Sequence, residues 1–152
     1  MHNIGQGEID IPALWHDQSV NVFTSQPPGA PGMSITVNRD RLPLATTLPE
    51  YAQSQFGKLA RQLNGFRLIE QGDIELDGRP AYLCEFAWHT DDMGPVHQVL
   101  LCVADGALVL NMAATQGGQM SDPQRVHARQ ILQSFRFGPG ADAIVEAPQP
   151  PG

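Results

Sequence analysis

Hydrophobic and polar residues alternate along most of the chain, a pattern typical of β-strands that bury one face. Short strands are predicted over 7–11 and 19–24, and a strictly alternating strand over 33–39. Two later pairs of alternating segments, 66–76 with 79–89 and 96–104 with 107–114, are each joined by Asp-Gly. Asp-Gly in this position indicates a hairpin whose two turn residues both have positive φ. The pattern therefore predicts two antiparallel hairpins.

Helical periodicity replaces the alternation in two places. A helix is predicted over 48–63, because Thr47 and Glu50 form a capping box and Asn64-Gly65 gives a C-cap. Its predicted apolar stripe consists of Ala52, Phe56, Leu59, Ala60 and Leu63, and Gln55 and Gln62 lie seven residues apart on a neighbouring stripe. A second helix is predicted to open at Ser121-Asp122-Pro123-Gln124. The element order is βββαββββα, which predicts an α+β fold with an antiparallel β-sheet and flanking helices.

The length of 152 residues favours one domain, which we place over 1–137. The remaining 138–152 is rich in Pro and Gly, and we interpret it as a flexible tail. No apolar window is long enough to cross a bilayer, so direct membrane insertion is not expected. The first ten residues carry neither a basic nor an apolar segment of a secretion signal, so a cytoplasmic location is expected.

Charge is scarce in this sequence. Charged residues make up 16% of the chain, against about 25% in an average protein. The net charge is -7, Lys58 is the single lysine, and there are 14 glutamines. Because no basic cluster is present, nucleic acid and anionic membrane surfaces are not expected as partners. Cys84 and Cys102 lie in predicted strands, where we expect them to be reduced and buried.

A search for catalytic chemistry finds little. Phosphate-binding, dinucleotide-binding, hydrolase and zinc-protease motifs are absent, and the spacing of the two cysteines does not suit a metal. His89, with Asp91 and Asp92, could approach His97 across a hairpin and hold a divalent metal, but a polar hairpin tip with surface histidines is the more common explanation. We therefore expect no enzyme activity, no metal and no cofactor.

Two further patterns on the predicted strands have two interpretations each. The alternating Asp73, Glu75 and Asp77 could be paired carboxylates for acid–base chemistry, although a solvated strand face is far more common. Ser34, Thr36 and Asn38 share one strand face opposite Met33, Ile35 and Val37. They form either an ordinary wet sheet face or a surface for an apolar guest with small and polar positions, such as a transmembrane helix outside its membrane.

The segment from Ile9 to Phe23, IDIPALWHDQSVNVF, resembles the opening of the Eag-type, DcrB-like chaperones of bacterial type VI secretion systems. The family pattern there is "(I/L)-x-(I/L)-P-x-x-W-x-D-Q-S-(I/V)-N-(I/V)-F". The resemblance continues at Asn38-Arg39-Asp40, at 51–55, at 62–66 and at His97-Gln98-Val99, and covers residues 8–137. The opening motif is long and specific, and the later segments support it by their order and spacing.

The resemblance implies a Mog1/PsbP-like fold and a homodimer whose curved sheets share a groove. It also implies a cytoplasmic chaperone that binds the N-terminal transmembrane segment of a PAAR-domain effector, often of the Rhs type, before loading on the VgrG spike. The positions implied to contact the effector helices are Val20, Val22, Ser34, Thr36, Asn38, Gln55 and Gln98. Helical spacing adds Leu59 and Gln62. The alternative is an envelope-associated DcrB-like protein whose binding role is unknown.

Overall fold

A computed structural model of the chain describes residues 1–3, 5–27, 30–92 and 94–138. The strands and helices, in chain order, are β1 (His2–Asn3), β2 (Glu8–Ile9), β3 (Asn21–Thr24), β4 (Met33–Arg41), α1 (Leu48–Gln62), β5 (Arg67–Leu76), β6 (Arg79–Thr90), β7 (Gly94–Asp105), β8 (Leu108–Gly117) and α2 (Asp122–Gln133). The predicted tail beyond Gly138 and residues 28–29 of the Pro-rich loop lie outside the described residues.

Strands β3 to β8 form one antiparallel sheet in the order β3-β4-β8-β7-β6-β5. β1 and β2 pair with each other in a separate two-stranded sheet. The predicted α+β class and antiparallel sheet are therefore confirmed, and the predicted element order lacks only the two-residue β1. No helix within the described ranges is long and apolar enough to cross a membrane.

The capping boxes fix the starts of both helices as predicted. Thr47 accepts a hydrogen bond from the backbone of Glu50, whose side chain in turn accepts one from the backbone N–H of Thr47. Ser121 and Gln124 make the equivalent bonds for α2. The stripe predicted for α1 is wrong at Ala60, which is exposed because the buried contacts of the helix concentrate in its first half.

The two Asp-Gly hairpins differ in their turns. Asp77 and Gly78 both have positive φ, 51° and 74°, as predicted. In the second hairpin Asp105 still pairs with Leu108, so the turn consists of Gly106 and Ala107 and only Gly106 has positive φ. The predicted turn was one residue too early there. A glycine at the first turn position suits a type II′ turn, the two-residue hairpin turn in which only the first turn residue has positive φ.

The helices cover opposite faces of the sheet. α1 packs over β6 and β7 with a core that includes Tyr82, Cys84 and Phe86, while α2 packs on the other face against a core that includes Leu101 and Val103. Cys84 and Cys102 are both free and buried, as expected from the sequence. Successive side chains of a strand point to opposite faces of the sheet, so the strand residues in contact with α1 identify which positions of each strand lie on the α1 face.

Candidate functional site: a groove beside α1

The α1 face of the sheet extends past the helix over β8, β4 and β3, where no helix covers it. We call this open strip, together with the facing side of α1, the α1-side groove. One row of its floor runs across the sheet as Val22, Thr36, Ala113 and Leu100, which are direct cross-strand partners. This row is mostly apolar, and a guest could approach the backbone closely at its two small residues, Thr36 and Ala113.

Polar rows flank the apolar row on both sides. On one side lie Thr24, Ser34, Thr115 and Gln98, and on the other lie Asn38, Asn111 and Cys102. The floor thus presents hydroxyl and amide groups next to a central apolar strip, whereas the Cys102 thiol is buried. Such groups form hydrogen bonds without the desolvation cost of a charge.

Eight of the nine predicted contact residues come together at this groove. Asn38, Gln55, Leu59 and Gln62 line one cavity of about 380 Å³ between α1 and the sheet. Val22, Ser34, Thr36 and Gln98 lie on the same sheet face by their register. Val20 precedes β3, so its side chain is not positioned by the ladder, and it is 53% exposed.

The two predicted glutamines differ in what they do. The side-chain amide of Gln55 makes no hydrogen bond to any other described residue, so it is available at the cavity wall to bond a guest. Gln98 is already bonded on both sides, since its Oε1 accepts from Trp88 Nε1 at 2.6 Å and its Nε2 donates to Thr115 Oγ1 at 2.9 Å. Gln98 therefore fixes the floor of the groove.

A chain of hydrogen bonds ties α1 to the floor. Tyr51 donates to Asp40 Oδ2 at 2.7 Å and accepts from Asn111 Nδ2 at 3.0 Å, and the thiol of Cys102 donates to Asn111 Oδ1 at 3.0 Å. Burial raises the pKa of Tyr51, and it raises the pKa of Cys102 to about 12. Both groups therefore stay neutral, and the charged side chains that line the cavity are those of Arg39, Asp40 and Lys58.

The structure corrects the interpretation of His97 as a surface residue. His97 is buried and bonded to Glu85, whereas His89 is exposed and packs against Gly65. No group of three or more His, Cys, Asp or Glu side chains among the described residues could hold a metal ion. Asp73, Glu75 and Asp77 lie on or beside the edge strand β5 and are exposed.

Sequence reasoning missed two features on the other face. One is the buried carboxylate of Glu85. Two sequence signals could have indicated it: a charged residue inside the apolar segment 81–88, and the i, i+4 spacing of Arg125 and Arg129 on α2. The second feature is a larger cavity of about 840 Å³ between α2 and strands β3 and β4, lined by residues that include Phe23, Ile35 and Ile131. The β4 residues that line it, Met33, Ile35 and Val37, form the apolar face predicted from the alternation over 33–39.

Comparisons with known proteins agree with the resemblance in the opening segment. The sequence model of the family described as DcrB matches residues 6–134. The chain is also 28% identical over 92 residues to Effector EagT6 of Pseudomonas aeruginosa, a match that spans 60% of this chain and 64% of the relative.

Among solved structures, the chain resembles PA94, a protein of unknown function from Pseudomonas aeruginosa. The TM-score is 0.73, with 23% identity, and the match covers 91% of this chain and 96% of the other. The PsbP protein CyanoP from Synechocystis sp. PCC 6803 aligns with a TM-score of 0.54 and 12% identity, covering 87% and 100% of the two chains. LpqN of Mycobacterium tuberculosis aligns with a TM-score of 0.52 and 14% sequence identity, and the match covers 77% of this chain and 80% of LpqN. These likenesses confirm the PsbP-like fold.

Proposed function

The chain belongs to the DcrB family, and we propose that it is a chaperone that holds a type VI secretion effector. In this proposal it shields the N-terminal transmembrane helices of a PAAR-domain effector in the cytoplasm until the effector is loaded on the VgrG spike. The family membership and the similarity to Effector EagT6 support the effector as partner. The role involves binding alone and includes no catalytic step, metal or cofactor.

The observation that carries the proposal is the composition and shape of the α1-side groove. A transmembrane helix has an apolar surface interrupted by small residues that accept close contact. The groove offers a matching central apolar row through Val22, Thr36 and Ala113, with neutral polar rows beside it. The three floor rows themselves contain no charged side chain, so covering them with such a helix does not remove a charge from water.

The energetic scale is adequate for stable shielding. Covering two apolar helices removes on the order of 1,000 Å² of apolar surface from water, at roughly 25 cal/mol per Å². Rigid-body and ordering costs offset much of this gain, so the area does not convert directly into affinity. The polar rows then determine the orientation of the guest more than its gross binding energy.

Val22→Asp tests the proposal. Val22 is 60% exposed, so the substitution leaves the fold intact but places a carboxylate in the apolar row. We expect the variant to lose co-purification of a co-expressed PAAR-domain effector that carries N-terminal transmembrane helices. The matched control is Val126→Asp, a 55% exposed valine on α2, which should retain the effector. A folded Val22→Asp variant that still recovers the effector at the normal yield would contradict the groove assignment.

A further inference from the structure

The cavity between α2 and strands β3 and β4 has an apolar interior. We call this space of about 840 Å³, lined by residues that include Phe23, Ile35 and Ile131, the α2-side cavity. Met33, Ile35 and Val37 line it and are only partly buried, although they pack against the core beneath α2. The volume lies within the range of about 300–1,000 Å³ that is typical of small-molecule sites. The α2-side cavity is therefore large enough for a ligand.

The α2-side cavity is polar at one end and mostly apolar at the other. Ser25, Gln116 and Gln124 line the end where β4 begins. At the other end the only polar lining residue among those described is Ser134, whose hydroxyl is bonded to a carbonyl of α2. The apolar lining there consists of Val37, Met112, Ile131, Leu132 and Phe135. A single-chain amphiphile has the same division between a polar head and an apolar tail.

Three side chains at the polar end have hydrogen-bond donors that no other described residue accepts. Ser25 Oγ accepts from the N–H of Met33 at 2.9 Å, which leaves the hydroxyl hydrogen free to donate. Gln124 Oε1 accepts from Gln116 Nε2 at 3.0 Å, which leaves the NH₂ group of Gln124 free. His127 lies one turn further along α2, and its ring carries an N–H in either protonation state. These groups are suited to an acceptor.

The charges along the lining favour an anionic head group. Asp and Glu outnumber Lys and Arg by 16 to 9 in the chain, yet no carboxylate of the described residues lines the α2-side cavity. Within the same ranges, His127 is the only lining side chain that can carry a positive charge. A carboxylate only accepts hydrogen bonds when ionised, so it matches donors that have no acidic neighbour in the lining.

We propose that the α2-side cavity binds a free long-chain fatty acid, with its carboxylate at Ser25, Gln124 and His127 and its acyl chain along the apolar lining. Met33 and Val37 are separated by about 14 Å along β4, at roughly 3.4 Å per residue. This distance is close to the roughly 15 Å of one leaflet of a bilayer's hydrocarbon core, which one acyl chain spans. The α2-side cavity and the α1-side groove lie on opposite faces of the sheet, so this proposal does not rest on the proposed function.

Calorimetric titration of the purified full chain, freed of bound lipid, tests the ligand class. We expect one palmitate to bind per chain. Hexadecyltrimethylammonium has the same chain length and a cationic head, and it should bind about tenfold or more weakly. Vesicles of phosphatidylethanolamine and phosphatidylglycerol should not bind, because a phospholipid brings a second acyl chain. Absence of palmitate binding, equal affinity for the two amphiphiles, or binding to the vesicles would overturn the proposal.

Two substitutions test whether the ligand lies in the α2-side cavity. Ile131→Trp fills the cavity from a half-buried position of α2 and should weaken palmitate binding about tenfold or more. Val126→Trp is the matched control, since Val126 is a 55% exposed residue of α2 outside the lining, and it should bind palmitate normally. Phe23→Asp, at a 59% exposed position of the lining, should weaken palmitate binding even if Ile131→Trp does not fold. Unchanged affinity in either folded variant would overturn the proposal.

A charge substitution tests the position of the head group. His127→Glu places a carboxylate beside the proposed head at an exposed position, so the fold should persist. Palmitate binding should weaken about tenfold or more, while the binding of hexadecanol, which has no charge, should be unchanged. Gln130→Glu adds the same charge at an exposed position of α2 outside the lining and should leave palmitate binding unchanged. Equal losses for palmitate and hexadecanol in His127→Glu, or no loss for palmitate, would overturn the placement of the carboxylate.

Discussion

The imidazole Nε2 of His97 lies 2.7 Å from Oε2 of Glu85, and both side chains are buried beneath α2. The backbone N–H of Met120 donates a hydrogen bond to Nδ1, the other ring nitrogen, at 3.1 Å. Because Nδ1 is the acceptor there, the ring hydrogen lies on Nε2, which donates a hydrogen bond to the carboxylate. Arg125 Nε donates to the same carboxylate at 2.6 Å, and Arg129 donates to its second oxygen. One carboxylate thus fastens α2 to the sheet on the face opposite the α1-side groove.

Removing the charge of Glu85 should strongly destabilise the protein. Glu85→Gln keeps the shape but weakens the charge-assisted hydrogen bonds from Arg125 and Arg129, which should cost about 1.5–3 kcal/mol. Urea unfolding followed by circular dichroism measures the change. Glu70→Gln is the control, because Glu70 also binds Arg129, at 2.8 Å, but is exposed, and exposed pairs contribute at most about 1 kcal/mol. Equal losses for both variants would contradict this role of burial.

The same carboxylate predicts a pH dependence of stability. Burial opposes its ionisation, but hydrogen bonds from Arg125, Arg129 and His97 outweigh burial and hold the pKa of Glu85 at about 2, below the ordinary 4.5. A lowered pKa in the folded state stabilises the protein above pH 4.5, and the contribution disappears as the pH falls from 4.5 toward 2. We expect the free energy of unfolding of the unmodified protein to fall more steeply over this range than that of Glu85→Gln. Parallel curves would show that Glu85 does not contribute.

Local sequence patterns were sufficient where the structure is set by neighbours in the chain. The capping pair Thr47 and Glu50 and the turn at Asp77-Gly78 need only residues within a few positions, and both were predicted correctly. The same reasoning misplaced the turn at Asp105, because Asp-Gly allows either of two turns and the pairing of the flanking strands decides between them.

Long-range partners explain what the sequence did not indicate. His97 was interpreted as a surface residue because its partner Glu85 and the Met120 N–H come from other parts of the chain. The groove positions were placed on a common surface by the resemblance and by alternation. Neither of those could indicate that Gln98 is held by Trp88 and Thr115, which depends on the register of three strands.

Gly65 should be costlier to replace than Gly78, the other turn glycine compared with it. Its φ is +63°, and a Cβ there would collide with the ring of His89. Gly65→Ala should therefore lower the free energy of unfolding by more than the roughly 1 kcal/mol expected from the backbone conformation alone. Gly78→Ala, with φ +74° and open space around the added atom, should show the conformational cost only. The excess for Gly65→Ala should shrink in a His89→Ala background, and an unchanged excess would exclude the ring as its cause.

Alanine substitutions of the two groove glutamines, Gln55 and Gln98, should affect guest binding and protein stability differently. The side chain of Gln55 has no hydrogen-bond partner among the described residues, so Gln55→Ala should change the free energy of unfolding by less than about 0.5 kcal/mol while lowering effector recovery. Gln98→Ala removes two hydrogen bonds and leaves Trp88 Nε1 without its acceptor, which should cost about 1–3 kcal/mol.

Chemical unfolding and effector co-purification, measured on the two single variants and the double variant, give both quantities. We expect the double variant to stay folded and to recover the least effector. It loses the guest contact of Gln55 at the wall and the hydrogen bonds by which Gln98 holds the floor in place. Unchanged recovery in the double variant would remove both glutamines from the binding site. A Gln55→Ala variant as unstable as Gln98→Ala would instead show that Gln55 supports the fold, and the polar contact to the guest would then have to come from Asn38 or Gln62 in the same cavity.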